Sequence, residues 1–163
     1  MLYLLDANVL ISAHELHYPL KRIPQFWSWI LVKADAGMVK MPAEIYDEIA
    51  VSTGELRDWI TAPDCGKKLK LSGQVDGSIL RKVISEGYAS DLTESELEQV
   101  GRDPFLIAYA IPLTPHVTIV TREIAKPSKK RQNRKVPDVC GHFGVRCITD
   151  FQLFHELDFK IVP

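Results

Sequence analysis

Short apolar segments alternate with segments of helical periodicity along this chain, and that alternation constrains its fold more than any other feature. Four runs read as strands, namely 2–5, 38–41, 117–120 and 145–148. The first run is continuously apolar until Asp6, which is typical of a strand buried on both faces of a parallel sheet. Strands that alternate with helices favour an α/β fold with right-handed crossovers and a mostly parallel central sheet.

The helices are marked by apolar spacing and by residues that begin or end helices. They are predicted over Ile23–Ala36, 43–50, Thr93 to about Gly101, Asp103–Ile111 and about 150–157. Gly37 follows the first of these at the position of a left-handed helix stop, and Thr93 with Glu96 has the spacing of a capping box. Residues 52–87 predict further helices without sharp bounds.

Length and composition predict one cytoplasmic domain spanning residues 1–163. With 46% apolar residues in 163, the chain can bury a single core without disulfides. Three cysteines are an odd count and favour a reducing compartment. The apolar amino terminus contains Asp6 and lacks a preceding basic region, so it does not resemble a signal peptide. No run approaches the roughly 18 apolar residues of a membrane span, and no membrane partner is expected.

Four carboxylates are candidates for one functional edge of the sheet. Asp6 and Glu123 each follow a strand, whereas Glu48 and Asp103 lie on or at the start of helices that can line the same edge. Three of them have an ordinary alternative when taken alone: the two aspartates can cap helices, and Glu123 can be a solvated loop residue. Glu48 is preferred over Glu44, because an acid in the first helical turn is stabilised by the helix dipole without any function.

Carboxylates gathered at one edge repel one another and raise their own pKa values unless a cation lies between them. Oxygen ligands without an organised histidine or cysteine set favour Mg²⁺ or Mn²⁺ over Zn²⁺. Such ions commonly complete their shell with water and substrate phosphate. The residues therefore predict metal-dependent hydrolysis of a phosphodiester.

Four segments that carry these acids resemble, in order, motifs of the PIN-domain family of nucleases. They are YLLDANVLI at 3–11, MPAEIYDEI at 41–49, DPFLIAYA at 103–110 and IVTREI at 119–124. That family includes the ribonuclease toxins of bacterial toxin–antitoxin pairs. The resemblance covers nearly the whole chain and implies a three-layer α/β/α sandwich with Mg²⁺- or Mn²⁺-dependent ribonuclease activity.

The resemblance also implies which residues bind metal and catalyse, namely Asp6, Glu48, Asp103 and Glu123. Asn8 and Thr121 would orient these ligands. The family usually has aspartate where this chain has Glu123, whose longer side chain is compatible with a one-metal site. Asp138 is an alternative fourth acid that we rank below Glu123.

A basic segment follows the last acidic motif and is a candidate nucleic-acid contact. Its residues Lys129, Lys130, Arg131 and Arg134 could bind phosphates, and the segment could also meet an acidic protein partner. The alternative is a solvated loop, which is the commoner role of a charge run.

Zinc is the alternative metal. Cys65, Cys140, His142 and Cys147 could supply four ligands, but their spacings match no common zinc motif. His14 and His17 lack matching partners nearby.

The sequence therefore predicts a metal-dependent endoribonuclease, with a role as the toxin of a toxin–antitoxin pair as the expected setting. The expected partners are an RNA substrate, an antitoxin protein and a second copy of the chain in a homodimer. Two alternatives stay open: a catalytically inactive PIN-like module that binds nucleic acid or protein, and a nuclease that cuts DNA or flap structures with the same site.

Overall fold

The computed structural model describes residues 1–163 and consists of one parallel sheet surrounded by helices. The strands are β1 (Leu2–Leu5), β2 (Val39–Lys40), β3 (Val117–Val120) and β4 (Arg146–Ile148). They are arranged in the order β2-β1-β3-β4, and every neighbouring pair is parallel. The predicted α/β class and parallel sheet are confirmed.

Ten α-helices connect and flank the strands. They are α1 (Ala7–Ser12), α2 (Pro24–Asp35), α3 (Ala43–Ala50), α4 (Glu55–Thr61), α5 (Pro63–Leu69), α6 (Gly77–Lys82), α7 (Glu94–Val100), α8 (Asp103–Ala110), α9 (Val136–His142) and α10 (Asp150–Glu156). Two π-helical segments cover Ala13–His17 and Val83–Tyr88, and 3₁₀ turns cover Ile111–Leu113 and Arg131–Asn133.

The ends of the predicted helices agree with the structure in most places. Gly37 adopts a φ of 75°, as its helix-stop position requires. Only one half of the predicted capping box forms at α7. The Thr93 hydroxyl accepts from the Glu96 amide at 3.2 Å, and the Glu96 carboxylate pairs with Arg131. A complete capping box occurs instead at α10, between Thr149 and Gln152.

The helices form two layers, one on each face of the sheet. Across the sheet, the connection from β1 to β2 runs in one direction and the connection from β3 to β4 runs in the opposite direction. Because both crossovers are right-handed, α1 and α2 lie on one face of the sheet and α9 lies on the other. Helix α8 packs on β3 and contacts α3 and α9, while α2 packs on β2 and contacts α10 through Phe26 and Phe154. The result is a three-layer α/β/α sandwich with one contiguous apolar core.

The strand order places the carboxyl ends of β1 and β3 at a topological switch point. Strand β1 has β2 on one side and β3 on the other, and open α/β sheets bind ligands where the order reverses in this way. Leu5 is paired with Val120, so Asp6 and Thr121 leave the sheet side by side. None of the helices is both long enough and apolar enough to cross a bilayer.

Candidate active site

A hydrogen-bond network joins the ends of β1 and β3. The Thr121 hydroxyl donates to Asp6 Oδ2 at 2.7 Å, and the Asn8 amide donates to the same oxygen at 2.9 Å. Asn8 also donates to Thr121 Oγ1 at 3.2 Å and accepts from the Arg122 amide at 3.1 Å. The Glu123 amide donates to Thr121 Oγ1 at 3.2 Å. The buried Thr121 hydroxyl therefore fixes Asp6 and the backbone of Glu123 relative to each other.

Asp6 is buried, with 6% of its surface exposed, yet it does not cap the following helix. It occupies the N-cap position of α1, but its side chain makes no capping hydrogen bond. Burial raises the pKa of Asp6, the hydrogen bond from Thr121 lowers it, and the charge of Glu123 raises it again. A buried carboxylate held by two side chains from the sheet edge is suited to bind a ligand rather than to end a helix.

Glu48 is the acid of α3 that faces Asp6. Burial raises the pKa of Glu48, Asp6 raises it further, and Arg102 lowers it. Arg102 also donates from Nη1 to the Glu44 carbonyl at 2.8 Å, which ties the start of α8 to the start of α3. Glu44 instead lies beside Tyr109, whose pKa it raises together with burial. Glu48, which the sequence favoured over Glu44, therefore lies within range of the charge of Asp6.

Asp103 is the most perturbed of the four carboxylates. It is the first residue of α8, and its side chain forms no hydrogen bond with another residue. Burial, followed by the charges of Asp6, Glu123 and Glu48, raises the pKa of Asp103 to about 8, while Lys135 lowers it. All four predicted acids are therefore close enough to interact through their charges.

Glu123 is the fourth acid of this cluster, but it is also used in the structure of the following loop. Its Oε2 accepts from the Val136 amide at 2.7 Å, and Lys135 Nζ lies 4.0 Å from its Oε1. Asp138, the alternative acid, accepts from the Lys126 amide at 2.7 Å and closes the loop between β3 and α9. Glu123 remains the preferred fourth acid, because it raises the pKa of both Asp6 and Asp103.

The acids fit a divalent cation by chemistry but not as a closed ligand cage. No group of three or more His, Cys, Asp or Glu side chains is close enough to hold one metal ion. The donors are nevertheless hard carboxylate oxygens, and they repel one another in the absence of a cation. Mg²⁺ is often bound by one or two carboxylates and several waters, which a wider arrangement of this kind permits.

Three cavities open beside the acids, and the smallest, of about 180 Å³, is bordered by Glu123 and Ile124. One of about 240 Å³ is bordered by Glu48 and His14, and another of about 220 Å³ is bordered by Asp103 and Glu123. Glu48 and Asp103 therefore line separate surface depressions.

The basic segment is partly committed to contacts within the protein. Arg131 pairs with Asp91 at 2.7 Å and with Glu96 at 2.9 Å, and Arg134 donates to the Gly87 carbonyl at 2.6 Å. These two arginines anchor the loop to the start of α7 and to the π-helical segment. Lys129 and Lys130 are exposed, and their side chains remain available for an external anion.

Comparison with known families gives one match. The profile of a family described as a domain of unknown function (DUF4411) matches residues 3–161, which is nearly the whole chain. The chain belongs to this family. No curated protein matches the chain. The family description names no activity, so the function of this DUF4411 chain has to be inferred from its site.

Tyr88 is a site residue that no sequence motif singles out. Its hydroxyl is buried without a hydrogen-bond partner in the protein, and the residue is 7% exposed. Burial raises the pKa of Tyr88, and Asp103 and Glu123 raise it further, so this hydroxyl stays protonated beneath the acids. It ends a π-helical segment, a feature that occurs frequently at functional sites.

The candidate zinc ligands do not assemble. Cys140 and Cys147 are neighbours, and their contact and burial raise the pKa of Cys140, but no third ligand joins them. His14 accepts a hydrogen bond from the Leu20 amide at 3.3 Å and so has a local structural role. His17 packs against Phe151.

Proposed function

We propose that this protein is a PIN-like, Mg²⁺- or Mn²⁺-dependent endoribonuclease that hydrolyses RNA phosphodiesters. The observation that carries the proposal is the electrostatic conflict at the β1/β3 switch point. Burial, and after it the charges of Asp6, Glu123 and Glu48, raise the pKa of Asp103, and a divalent cation would relieve the repulsion among these acids. The preference for RNA, and a role as the toxin of a toxin–antitoxin pair, rest on the resemblance of the four acidic motifs to the PIN family.

In this proposal Asp6 and Asp103 are the principal metal ligands, with Glu48 and Glu123 as further ligands directly or through water. A bound divalent ion would supply Lewis acidity toward the phosphate and lower the pKa of a bound water. Thr121 and Asn8 hold Asp6 Oδ2, so they orient the carboxylate and reduce the entropy lost when a ligand binds. Glu48 and Asp103 border different cavities, so the acids lie where a strand crossing the site would pass.

A second candidate is an inactive PIN-like module that binds nucleic acid or protein. The observation that favours it is the lack of any three side chains at metal-binding distance. The presence of all four acids in one cluster favours the nuclease, because carboxylates that repel one another cost stability and a binding module has no use for them.

The deciding experiment is cleavage of single- and double-stranded RNA and DNA, including flap structures, with Mg²⁺, Mn²⁺ or a chelator. We expect the parent protein to cut RNA only with metal and the Asp6→Asn protein not to cut. Cleavage of DNA or flap structures alone would support the same active site but reject RNA as its substrate. No cleavage of any substrate, together with no metal binding by calorimetry, would reject the nuclease in favour of the binding module.

Two glutamates on α3 provide a matched pair of variants. Glu48→Gln should reduce cleavage, because it removes an acid that faces Asp6. Glu44→Gln makes the same chemical change one helical turn away, on the side of Tyr109, and should leave cleavage unchanged. Equal loss in both variants would indicate damage to α3 rather than to a metal site.

A further inference from the structure

The cavity beside Asp103 and Glu123 has an unusual lining for its size. Its volume is about 220 Å³, and none of its lining residues is hydrophobic. Besides the two acids, its wall contains three cations and three amide side chains. Pockets for drug-sized ligands begin at roughly 300 Å³ and are mostly apolar, and nucleobases stack on aromatic or apolar side chains. The cavity therefore suits a small polar anion rather than a base.

The cations of this wall are Lys129, Arg134 and Lys135. Arg134 is fixed by the Gly87 carbonyl, and the rim of the loop is fixed by the ion pairs of Arg131. Lys135 lies 4.0 Å from Glu123 Oε1 and lowers the pKa of Asp103, so its ammonium group is near both acids. Lys129 is exposed and forms no ion pair within the protein. Three cations against two acids leave a positive balance in the lining, next to the proposed reaction centre.

We propose that this cavity binds one backbone phosphate of the substrate strand, adjacent to the bond that is cut, through the ammonium groups of Lys129 and Lys135. This inference rests on the proposed nuclease function and names a subsite of it. The amides of Gln132 and Asn133 lie in the same wall and can donate to phosphate or ribose oxygens. The alternative is that Lys135 serves only as a counterion for Glu123 and binds no substrate.

The test is a salt titration of RNA binding, measured separately from cleavage. A fluorescein-labelled single-stranded RNA is bound to Asp6→Asn protein with Mg²⁺ present, and anisotropy gives Kd at several salt concentrations. The slope of log Kd against log salt should fall by about 0.7 for each phosphate that the protein no longer neutralises. We expect that fall when Lys129→Gln or Lys135→Gln is added to the Asp6→Asn background. Lys126→Gln removes the same charge from the same segment outside the cavity and should leave the slope unchanged.

A second arm locates the phosphate on the strand. A set of RNAs is prepared, each with one neutral methylphosphonate linkage at a different position. At one position we expect the neutral linkage to weaken binding to the protein that has Lys135. The same linkage should have no effect on binding to the Lys135→Gln protein. Lys135→Arg keeps the charge and should restore the sensitivity. If no internal linkage shows this coupling, the cavity holds no backbone phosphate of the strand, which would overturn the proposal. Thermal melts of all variants identify any loss of folding, and Lys129, on the exposed loop, provides an independent variant.

The outcomes separate this inference from the proposed function. Unchanged slopes in both lysine variants, or no RNA binding at any salt concentration, would overturn the phosphate subsite. RNA binding with the expected slopes, but no cleavage and no metal binding by the parent protein, would keep a phosphate site in this cavity and reject both the nuclease and the position beside a cut bond. Cleavage by the parent protein, with unchanged slopes in the lysine variants, would support the nuclease and reject the phosphate subsite.

Discussion

Asp103→Asn should make the metal-free protein more stable at neutral and alkaline pH. The pKa of Asp103 is about 8 in the folded protein, against 3.8 for a solvated aspartate. One pKa unit corresponds to about 1.36 kcal/mol, so the full difference is roughly 6 kcal/mol. Side-chain relaxation and water entry reduce such costs in proteins, and we expect a gain of about 2–4 kcal/mol in the variant.

Proton linkage determines the sign of this pH dependence. The folded pKa is raised, so the contribution of Asp103 to stability is fully present below about pH 4 and is lost as pH rises through about 8. Between these values the folded state keeps a proton that the unfolded state has released. The free energy of unfolding of the parent should therefore fall with pH at up to about 1.36 kcal/mol per unit. The Asp103→Asn protein would lack this titration, although Asp6 and Glu48, whose pKa values are also raised, leave a smaller slope.

The assay is urea unfolding followed by tryptophan fluorescence, in chelator, from about pH 5 to about pH 9. Asp35→Asn, which removes an exposed carboxylate on α2, is the control and should follow the parent. Mn²⁺ should then stabilise the parent more than the Asp103→Asn protein, because binding to the folded state adds RT ln(1 + [L]/Kd). A variant no more stable than the parent at about pH 8, with the same pH slope, would refute the electrostatic conflict at this site.

Three further substitutions test neighbouring contacts. Thr121→Val should lower the free energy of unfolding, measured by chemical denaturation, by about 1–3 kcal/mol, because it removes the hydroxyl that joins Asp6 to the Glu123 amide. Thr121→Ser should recover most of this loss. Unchanged stability of the Thr121→Val protein would contradict the hydrogen-bond network. Tyr88→Phe should leave the melting temperature unchanged or raise it, since the hydroxyl is buried without a partner in the protein, and a loss above about 1 kcal/mol would reveal one. Gly87→Ala should destabilise the fold by about 1–3 kcal/mol in the same assay, because a Cβ there would lie 2.7 Å from Val139 Cγ1; unchanged stability would show that α9 can move aside.

The sheet and the edge position of Asp6 could be predicted because their signals are local. A strand buried on both faces is a continuous apolar run, and the run 2–5 ends directly at Asp6. The acid after β3 could be placed in the same way. The contact between Asp6 and Thr121 needs the pairing of β1 with β3, which joins residues 115 positions apart. Parallel order is set by tertiary packing, and no local pattern encodes it.

The basic segment shows the limit of predicting from composition. Its lysines and arginines are alike as a charge run, but Arg131 is paired with Asp91 and Glu96 from a distant part of the chain. Lys135, outside the four basic residues selected from the sequence, is the cation nearest to Glu123. Tyr88 could not be predicted either, because it comes near Asp103 only when the π-helical segment packs against α8. In contrast, the Thr149–Gln152 capping box had a sequence signature that could have been found.

Asp103 and Asp150 are two aspartates whose surroundings differ within the same molecule. Asp150 is buried, at 3% exposure, and it forms an ion pair with Arg122 at 3.0 Å and accepts from the Phe151 amide at 2.9 Å. That is how proteins ordinarily stabilise a buried charge. Asp103 is partly exposed and its side chain forms no hydrogen bond, and three acids and one cation, Lys135, lie near it. The contrast supports the proposal that a bound cation supplies positive charge at Asp103 beyond that of Lys135.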